Sequence, residues 1–108
     1  MYGLDPDRYQ IEALVAPDLD QKIDALDTDT HTAYEFKVSG KNATGEFYKD
    51  VVKVIVWNRK SKKPIVRLIF ITEEKWARKY LNTPMPREYV KYMERHGLKV
   101  SIAYVRHE

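Results

Sequence analysis

Three charged side chains near the start of the chain, Asp24, Glu35 and Lys37, have types and spacing suited to metal-dependent chemistry. Successive side chains of a strand point to opposite faces, so Glu35 and Lys37 share one face if they lie on a strand. Mg²⁺ usually takes one or two carboxylates from a protein, and water and substrate oxygens complete its octahedron. A neighbouring lysine can orient an attacking water, lower its pKa or bind a phosphate. These groups match the needs of phosphodiester hydrolysis.

Two strands are predicted to position these residues. Residues 21–26 alternate as a strand that places Asp24 on one face, and a turn follows at 27–30. Residues 32–39 alternate more clearly: Tyr34, Phe36 and Val38 lie on one face, and Ala33, Glu35, Lys37 and Ser39 on the other. We therefore expect a hairpin whose charged side lies opposite a buried face formed by Tyr34, Phe36 and Val38.

The other elements predict an α/β fold. Residues 6–15 have the spacing of an amphipathic helix, with Asp5 as its cap and Pro6 at its first position. Residues 40–45 form a loop. The segment from Phe47 to Val56 fits either a helix or a β-branched strand, and its length and the positions of its polar residues favour the helix.

The second half of the chain predicts two further strands and two helices. Residues 58–64 form a basic loop, and 65–71 are apolar enough for a central strand. A helix capped at Thr72 carries Trp76 to Leu81, a second helix covers 87–96, and a strand covers 98–105. The predicted order is αββαβαβ, a sandwich in which a central mixed sheet is flanked by helices, within a single domain over residues 1–108.

Charge is unevenly distributed, although the net charge is only +3. Residues 1–36 hold nine acids and two bases, whereas residues 37–67 hold nine bases and two acids. An acidic segment next to a basic one suits a protein that holds cations and also binds a polyanion. Solvated surface charge would give the same composition, so both interpretations remain open at this point.

Composition excludes several classes of site. Without cysteine there are no disulfides or thiolate metal ligands, and the three histidines do not have the spacing of a zinc motif. No apolar run is long enough to span a membrane, and the N-terminus is too polar for a signal peptide. We expect a soluble, cytoplasmic protein with no membrane partner and no organic cofactor.

The segments Ile23–Leu26 and Tyr34–Ser39 resemble the motif of the PD-(D/E)XK nuclease superfamily, which has the restriction-endonuclease-like fold. In that superfamily an aspartate on one strand of a hairpin meets a Glu-X-Lys on the next. The resemblance implies that Asp24, Glu35 and the backbone carbonyl of Phe36 bind Mg²⁺, for which Mn²⁺ can substitute, and that Lys37 acts in catalysis. No proline precedes Asp24. The pair Pro17-Asp18 has the motif's letters but lies before the strand, so we prefer Asp24 to Asp18 and regard Asp20 as a less favoured contributor.

Further residues are candidates for the same site. Glu12 is a candidate metal ligand, because many members of the superfamily place a helical glutamate near the metal. The favoured alternative is that it pairs with Arg8, one helical turn before it. Glu46 either joins the acidic cluster or stabilises the start of a helix. Phosphate contacts to DNA are predicted for four polar residues: Lys41, Asn42, Lys49 and Lys53.

The expected function is that of a Mg²⁺-dependent endonuclease acting on DNA, of a restriction, repair or junction-resolving type. At this size one protomer offers one site, so cutting both strands favours a homodimer. One alternative is a nuclease-like module that binds nucleic acid or a protein without cleaving. Another is an unrelated α/β domain with surface charges, which a wide separation of Asp24 and Glu35 would establish.

Overall fold

The fold is a five-stranded mixed sheet with helices. The computed structural model describes residues 8–16, 19–37 and 42–105. The strands are β1 (Tyr9–Ala16), β2 (Leu19–Asp27), β3 (Thr32–Lys37), β4 (Arg67–Glu73) and β5 (Lys99–Val105). The helices are α1 (Ala43–Lys60), α2 (Glu74–Trp76) and α3 (Pro84–Arg95), with a π-helical turn at Ala77–Leu81. The sheet order is β1-β2-β3-β4-β5, in which β1 to β3 are antiparallel and β3 to β5 parallel. The predicted α/β class is confirmed.

The predicted helix over residues 6–15 is wrong, because residues 9–16 form β1. This segment pairs with β2 in a register that runs from Tyr9 opposite Asp27 to Ala16 opposite Leu19. Ile11, Leu14 and Val15 suggested a helix, but the same segment also fits a strand, since Ile11, Ala13 and Val15 are apolar at every second position. Pairing with β2 satisfies the backbone groups along one side of this edge strand and decides between the two patterns. The order from residue 8 onward therefore begins with three strands rather than with a helix.

Helix α1 is the main packing element against the sheet, and its prediction as a helix is confirmed. Phe47, Val51 and Val54 are fully buried on its inner face, and the ring of Phe47 contacts that of Phe70 on β4 edge to face. Burial of this face outweighs the weak helix propensity of the β-branched residues. The helix continues to Lys60, so the basic loop begins later than the predicted residue 58.

The helices that the structure describes cover one face of the sheet, whereas a sheet flanked by helices on both sides was expected. The parallel register aligns Leu68 with Val100 and Phe70 with Ile102, so these four side chains share a face. Phe70 packs beneath α1, and Val100 and Ile102 line a depression together with side chains of the π-helical turn and α3. No described helix packs on the opposite face.

The predicted burial of the two faces of β3 is also wrong. Ala33 and Glu35 are buried, whereas Phe36 is 38% exposed and Tyr34 is half-buried. Alternation along β3 separates the two sets of side chains, but it does not tell which set α1 covers. The charged side of the strand is thus the side covered by the helix. Val38 and Ser39 lie outside the described residues.

The last helix begins at Pro84 rather than at the predicted residue 87. Proline at the first position costs no hydrogen bond and is favoured there. Gly97, with φ of 90°, follows the end of the helix as predicted. Within residues 8–16, 19–37 and 42–105, no helix is long and apolar enough to cross a membrane.

Asp27 fixes the turn between β2 and β3. Its buried carboxylate accepts hydrogen bonds from Nε and Nη2 of Arg8, the shorter of 2.8 Å. It also accepts from the backbone amides of Asp29, at 3.0 Å, and Thr30, at 3.3 Å. The hydrogen bonds from Arg8 hold the pKa of Asp27 at about 2. This carboxylate therefore stabilises the hairpin that carries Asp24 and Glu35.

We expect Asp27→Asn to lower the free energy of unfolding by about 1–3 kcal/mol at neutral pH, because a charged acceptor of several hydrogen bonds is lost. The pKa of Asp27 is lower in the folded protein than its ordinary value of 3.8. Its contribution is therefore fully present above that value and is lost as pH falls towards 2. Urea denaturation at several pH values measures the free energy of unfolding of wild type and variant. The difference between the two free energies should become smaller below pH 4.

Asp29→Asn is the matched control, since Asp29 is exposed and its carboxylate lies 3.8 Å from Nε of Arg8. The control should change stability by less than about 0.5 kcal/mol. Equal losses in the two variants would contradict a special role for Asp27.

Candidate active site

Asp24 and the triplet Glu35-Phe36-Lys37 meet in the structure. The antiparallel pairing of β2 with β3 ends at Ala25 opposite Tyr34, and Asp24 and Glu35 are the next residues along the two strands. Oδ2 of Asp24 accepts a hydrogen bond of 2.9 Å from the backbone amide of Phe36. The carboxylate of the first strand therefore lies against the middle residue of the triplet on the second.

Glu35 is a buried carboxylate, with 2% of its surface exposed. Its Oε1 lies 3.0 Å from Nζ of Lys53 on α1. The same ammonium lies 3.1 Å from Oδ1 of Asp50 and donates to the backbone carbonyl of Lys22 at 2.7 Å. A buried carboxylate without a counter-charge is strongly unfavourable, and Lys53 supplies the counter-charge that favours the ionised form of Glu35 beneath the helix.

The carboxyl groups of this site have unusual proton affinities. Burial raises the pKa of Glu35 to about 8, and the charge of Asp50 adds to that effect while Lys53 opposes it. Burial also raises the pKa of Asp50 to about 6, again against the effect of Lys53. Burial acts to lower the pKa of Lys53, but the charges of Asp50 and Glu35 outweigh it and raise the pKa. The charge of Asp24 contributes to the raised pKa of both acids, so all three carboxylates interact.

Lys37 lies on the same face of β3 as Glu35 and is half-buried. In the described part of the chain it forms no ion pair, and Glu35 pairs with Lys53 instead. The parallel register places Thr72 of β4 beside it. The hydroxyl of Thr72 is buried and has no hydrogen-bond partner in the described part of the chain. A second polar group therefore lies next to Lys37.

The remaining predicted site residues are placed less closely. Glu12 is exposed on β1. The residues on either side of it pair with Ala25 and Ile23, which flank Asp24, so Glu12 lies near Asp24 on a strand and not on the expected helix. The alternative pairing of Glu12 with Arg8 is not seen, since Arg8 bonds to Asp27. Asp18 lies outside the described residues, as does the side chain of Asp20.

The four predicted phosphate contacts fall into different environments. Asn42, at the start of α1, and Lys49 are exposed, whereas Lys53 is held between Glu35 and Asp50. Lys41 lies outside the described residues. Glu46 lies in the first turn of α1 and contributes to the raised pKa of Asp50, which is compatible with both roles considered for it. Lys49 and Asn42 remain predictions for phosphate contact.

Sequence reasoning missed Asp50 and Thr72. Asp50 follows Phe47 by three positions and precedes Val51 and Val54, so it lies within the apolar stripe of α1. A carboxylate in such a stripe is uncommon unless it is paired, and Lys53 three residues later is a suitable partner. This spacing was the available signal. Thr72 was interpreted only as a helix cap, and nothing else in the sequence marks it.

The donor atoms suit a hard divalent cation, although they do not enclose one. Within the described ranges no three acidic or histidine side chains converge closely enough to form a metal cage. Mg²⁺ needs only one or two carboxylates, so Asp24 and Glu35 suffice in number and type. Oε1 of Glu35 is buried without a well-aligned hydrogen bond, although Lys53 lies near it.

Comparisons with family models, curated proteins and solved structures give no match.

We expect Lys53→Met to destabilise the protein by about 2–3 kcal/mol at pH 9, because Glu35 and Asp50 lose their buried counter-charge. The folded-state pKa of each acid is already raised, so protonation of the acid stabilises the folded protein below its ordinary pKa. This stabilisation is lost as pH rises through about 6 for Asp50 and about 8 for Glu35. Removal of Lys53 raises both values further. The loss of stability should therefore be smaller at pH 5 than at pH 9, as measured by thermal unfolding.

Lys49→Met is the matched control, since Lys49 is exposed on the same helix. It should leave stability nearly unchanged at both pH values. The double variant Glu35→Gln with Lys53→Met should recover part of the loss, because one of the uncompensated acids is then neutral. A destabilisation by Lys53→Met that does not vary with pH would contradict the ion-pair account.

Proposed function

We propose that this chain is a metal-dependent endonuclease that hydrolyses phosphodiester bonds in DNA, with the site of the PD-(D/E)XK nucleases that its motif resembles. The observation that carries the proposal is the hydrogen bond from the amide of Phe36 to Asp24. It brings the aspartate of one strand against the Glu-X-Lys of the next, which is the arrangement that the resemblance implies. Asp24 and Glu35 are neighbours and not distant surface charges.

The order of elements after the motif supports the same proposal. The strand that carries Glu35 and Lys37 is followed by a helix, a strand, helical segments and a last strand. The resemblance implies this succession. The expected first helix is replaced by β1, so the agreement begins at the hairpin.

Charge balance favours a divalent cation at this position. When Asp24, Glu35 and Asp50 are all ionised, the ammonium of Lys53 leaves two negative charges uncompensated. Repulsion among buried carboxylates is costly, and a bound dication relieves it. Asp24, Glu35 and the backbone carbonyl of Phe36 would hold the ion, and Asp50 would act through Lys53. Mg²⁺ is the expected ion, with Mn²⁺ as a substitute.

The roles of the side chains follow from their positions. A bound Mg²⁺ would supply charge neutralisation at the phosphate and a water of lowered pKa. Lys37, which lies two residues beyond Glu35 on the same face, orients the attacking water or binds the scissile phosphate. Lys53 holds Glu35 and Asp50 in place rather than contacting the DNA backbone. Exposed Lys49 and Asn42 are left to contact flanking phosphates.

We expect wild-type protein to cut DNA only when Mg²⁺ or Mn²⁺ is present, with labelled linear, single-stranded and four-way-junction DNA as the test substrates. Asp24→Asn, Glu35→Gln and Lys37→Met should each reduce the rate by at least about 100-fold, because each removes a metal ligand or the group that acts on water. Glu88→Gln and Lys91→Met are matched controls on α3, where these two side chains pair with each other. Both controls should keep the wild-type rate.

Two outcomes would contradict the proposal. Cutting that survives in Glu35→Gln and Asp24→Asn would come from another site or a contaminant. Metal-independent DNA binding without cutting of any substrate would favour the alternative of a non-catalytic nucleic-acid-binding module. Thermal unfolding of each variant separates loss of the site from loss of the fold.

A further inference from the structure

The face of the sheet opposite the helices carries an apolar band. The register of all five strands places one row of side chains across the sheet: Ile11, Ala25, Tyr34, Ile69 and Ser101. The next row on β3 to β5 is formed by Phe36, Ile71 and Ala103. Ile11 is 56% exposed and Phe36 38% exposed, and Ile69 and Ile71 do not belong to the core beneath the helices. Ala25 in the first row is buried, with 1% of its surface exposed, and Tyr34, Ile69 and Ile71 are half-buried. The band is therefore partly accessible apolar surface, and such surface is typical of an interaction site.

Charges of opposite sign lie at the two ends of this band. The same register places Arg67 and Lys99, both exposed, side by side in the row before it. Glu73 lies in the row after it, beside Val105, and its carboxylate lies 3.8 Å from Nζ of the exposed Lys75. Arg67 of a second copy would therefore have to share or replace this lysine. Arg67 and Glu73 are six residue steps apart along β4, which is about 20 Å. Along β4 this face therefore carries a positive side chain, two apolar side chains and a negative side chain, in that order: Arg67, Ile69, Ile71 and Glu73.

This pattern is complementary to itself. A twofold axis in the plane of the interface and across the strands reverses the direction of β4, so that Arg67 of one copy lies over Glu73 of the other. Ile69 then lies over Ile71 of the partner copy, and the apolar rows cover each other. A twofold axis parallel to the strands would instead bring the two positive rows together, so charge selects the first arrangement.

We infer that this face binds a second copy of the chain, sheet against sheet, with β4 crossing β4 in opposite directions near Phe70. Packed sheets with mean strand directions within about 30° of each other are a common arrangement. The described face measures about 20 by 24 Å, or about 480 Å², which is little more than half of the roughly 800 Å² per partner of a standard interface. The dimer should therefore dissociate in the micromolar range. The helices, including Asp50 and Lys53, would lie on its outer sides.

A charge swap tests this arrangement by sedimentation velocity over a range of protein concentrations. Wild type should shift from monomer to dimer. Arg67→Glu places like charges opposite each other twice in every dimer and should raise the dissociation constant at least about tenfold. Combining Arg67→Glu with Glu73→Arg restores opposite charges across the axis and should recover most of the affinity. Arg59→Glu, an exposed residue near the end of α1, is the control for net charge and should leave the dimer unchanged.

Several results would overturn the inference. A monomer at all concentrations would mean that a different partner or another segment of this chain covers the face. A dimer that Arg67→Glu weakens and Glu73→Arg does not restore would rule out the proposed axis. A dimer unaffected by either substitution would use another surface. Circular dichroism of each variant excludes unfolding as the cause of a change.

Discussion

The site depends on the ammonium of Lys53, which lies between Glu35 and Asp50 beneath helix α1. Without it, two carboxyl groups would be buried between the helix and the sheet and would favour their neutral forms. With it, α1 can pack over the charged side of β3 while the acids remain close to ionisation at neutral pH. The same ammonium donates to the carbonyl of Lys22 and so links the helix to β2. Packing and chemistry therefore depend on one side chain.

The uneven charge of the sequence takes on a structural meaning here. Glu35 belongs to the acidic first third of the chain, whereas Lys53 belongs to the basic segment that follows. Their ion pair consumes one base that would otherwise be assigned to nucleic-acid binding. The hairpin that presents Asp24 and Glu35 is held at its turn by Asp27, whose partner Arg8 precedes β1. Strand β1, the β2–β3 hairpin and α1 thus contribute together to the geometry of one acidic site.

Local patterns in the sequence predicted the elements that have a single periodicity. The alternation through Glu35 and Lys37 predicted β3, and the apolar spacing of Phe47, Val51 and Val54 predicted α1, because both patterns match a regular geometry. Residues 9–16 carry apolar positions that suit both a helix and a strand, and only pairing with β2 distinguishes them. Which face of β3 is buried depends on where α1 packs. This is a feature of the tertiary structure, and the alternation of residues along the strand does not predict it. The approach of Asp24 to the strand that carries Glu35 and Lys37 was predicted from the motif. The burial of Lys53 was not predicted, since a lysine on a helix usually faces solvent.

The most direct test of the proposed metal site is a crystal structure of the wild-type protein grown with Mn²⁺, with anomalous data that locate the metal. The account predicts a manganese peak in contact with the carboxylates of Asp24 and Glu35 and near the carbonyl of Phe36, with Lys53 still beside Asp50. Manganese bound only elsewhere, or no peak while Glu35 stays paired with Lys53, would contradict a metal site at this hairpin and leave the Glu35–Lys53–Asp50 cluster as a structural ion pair.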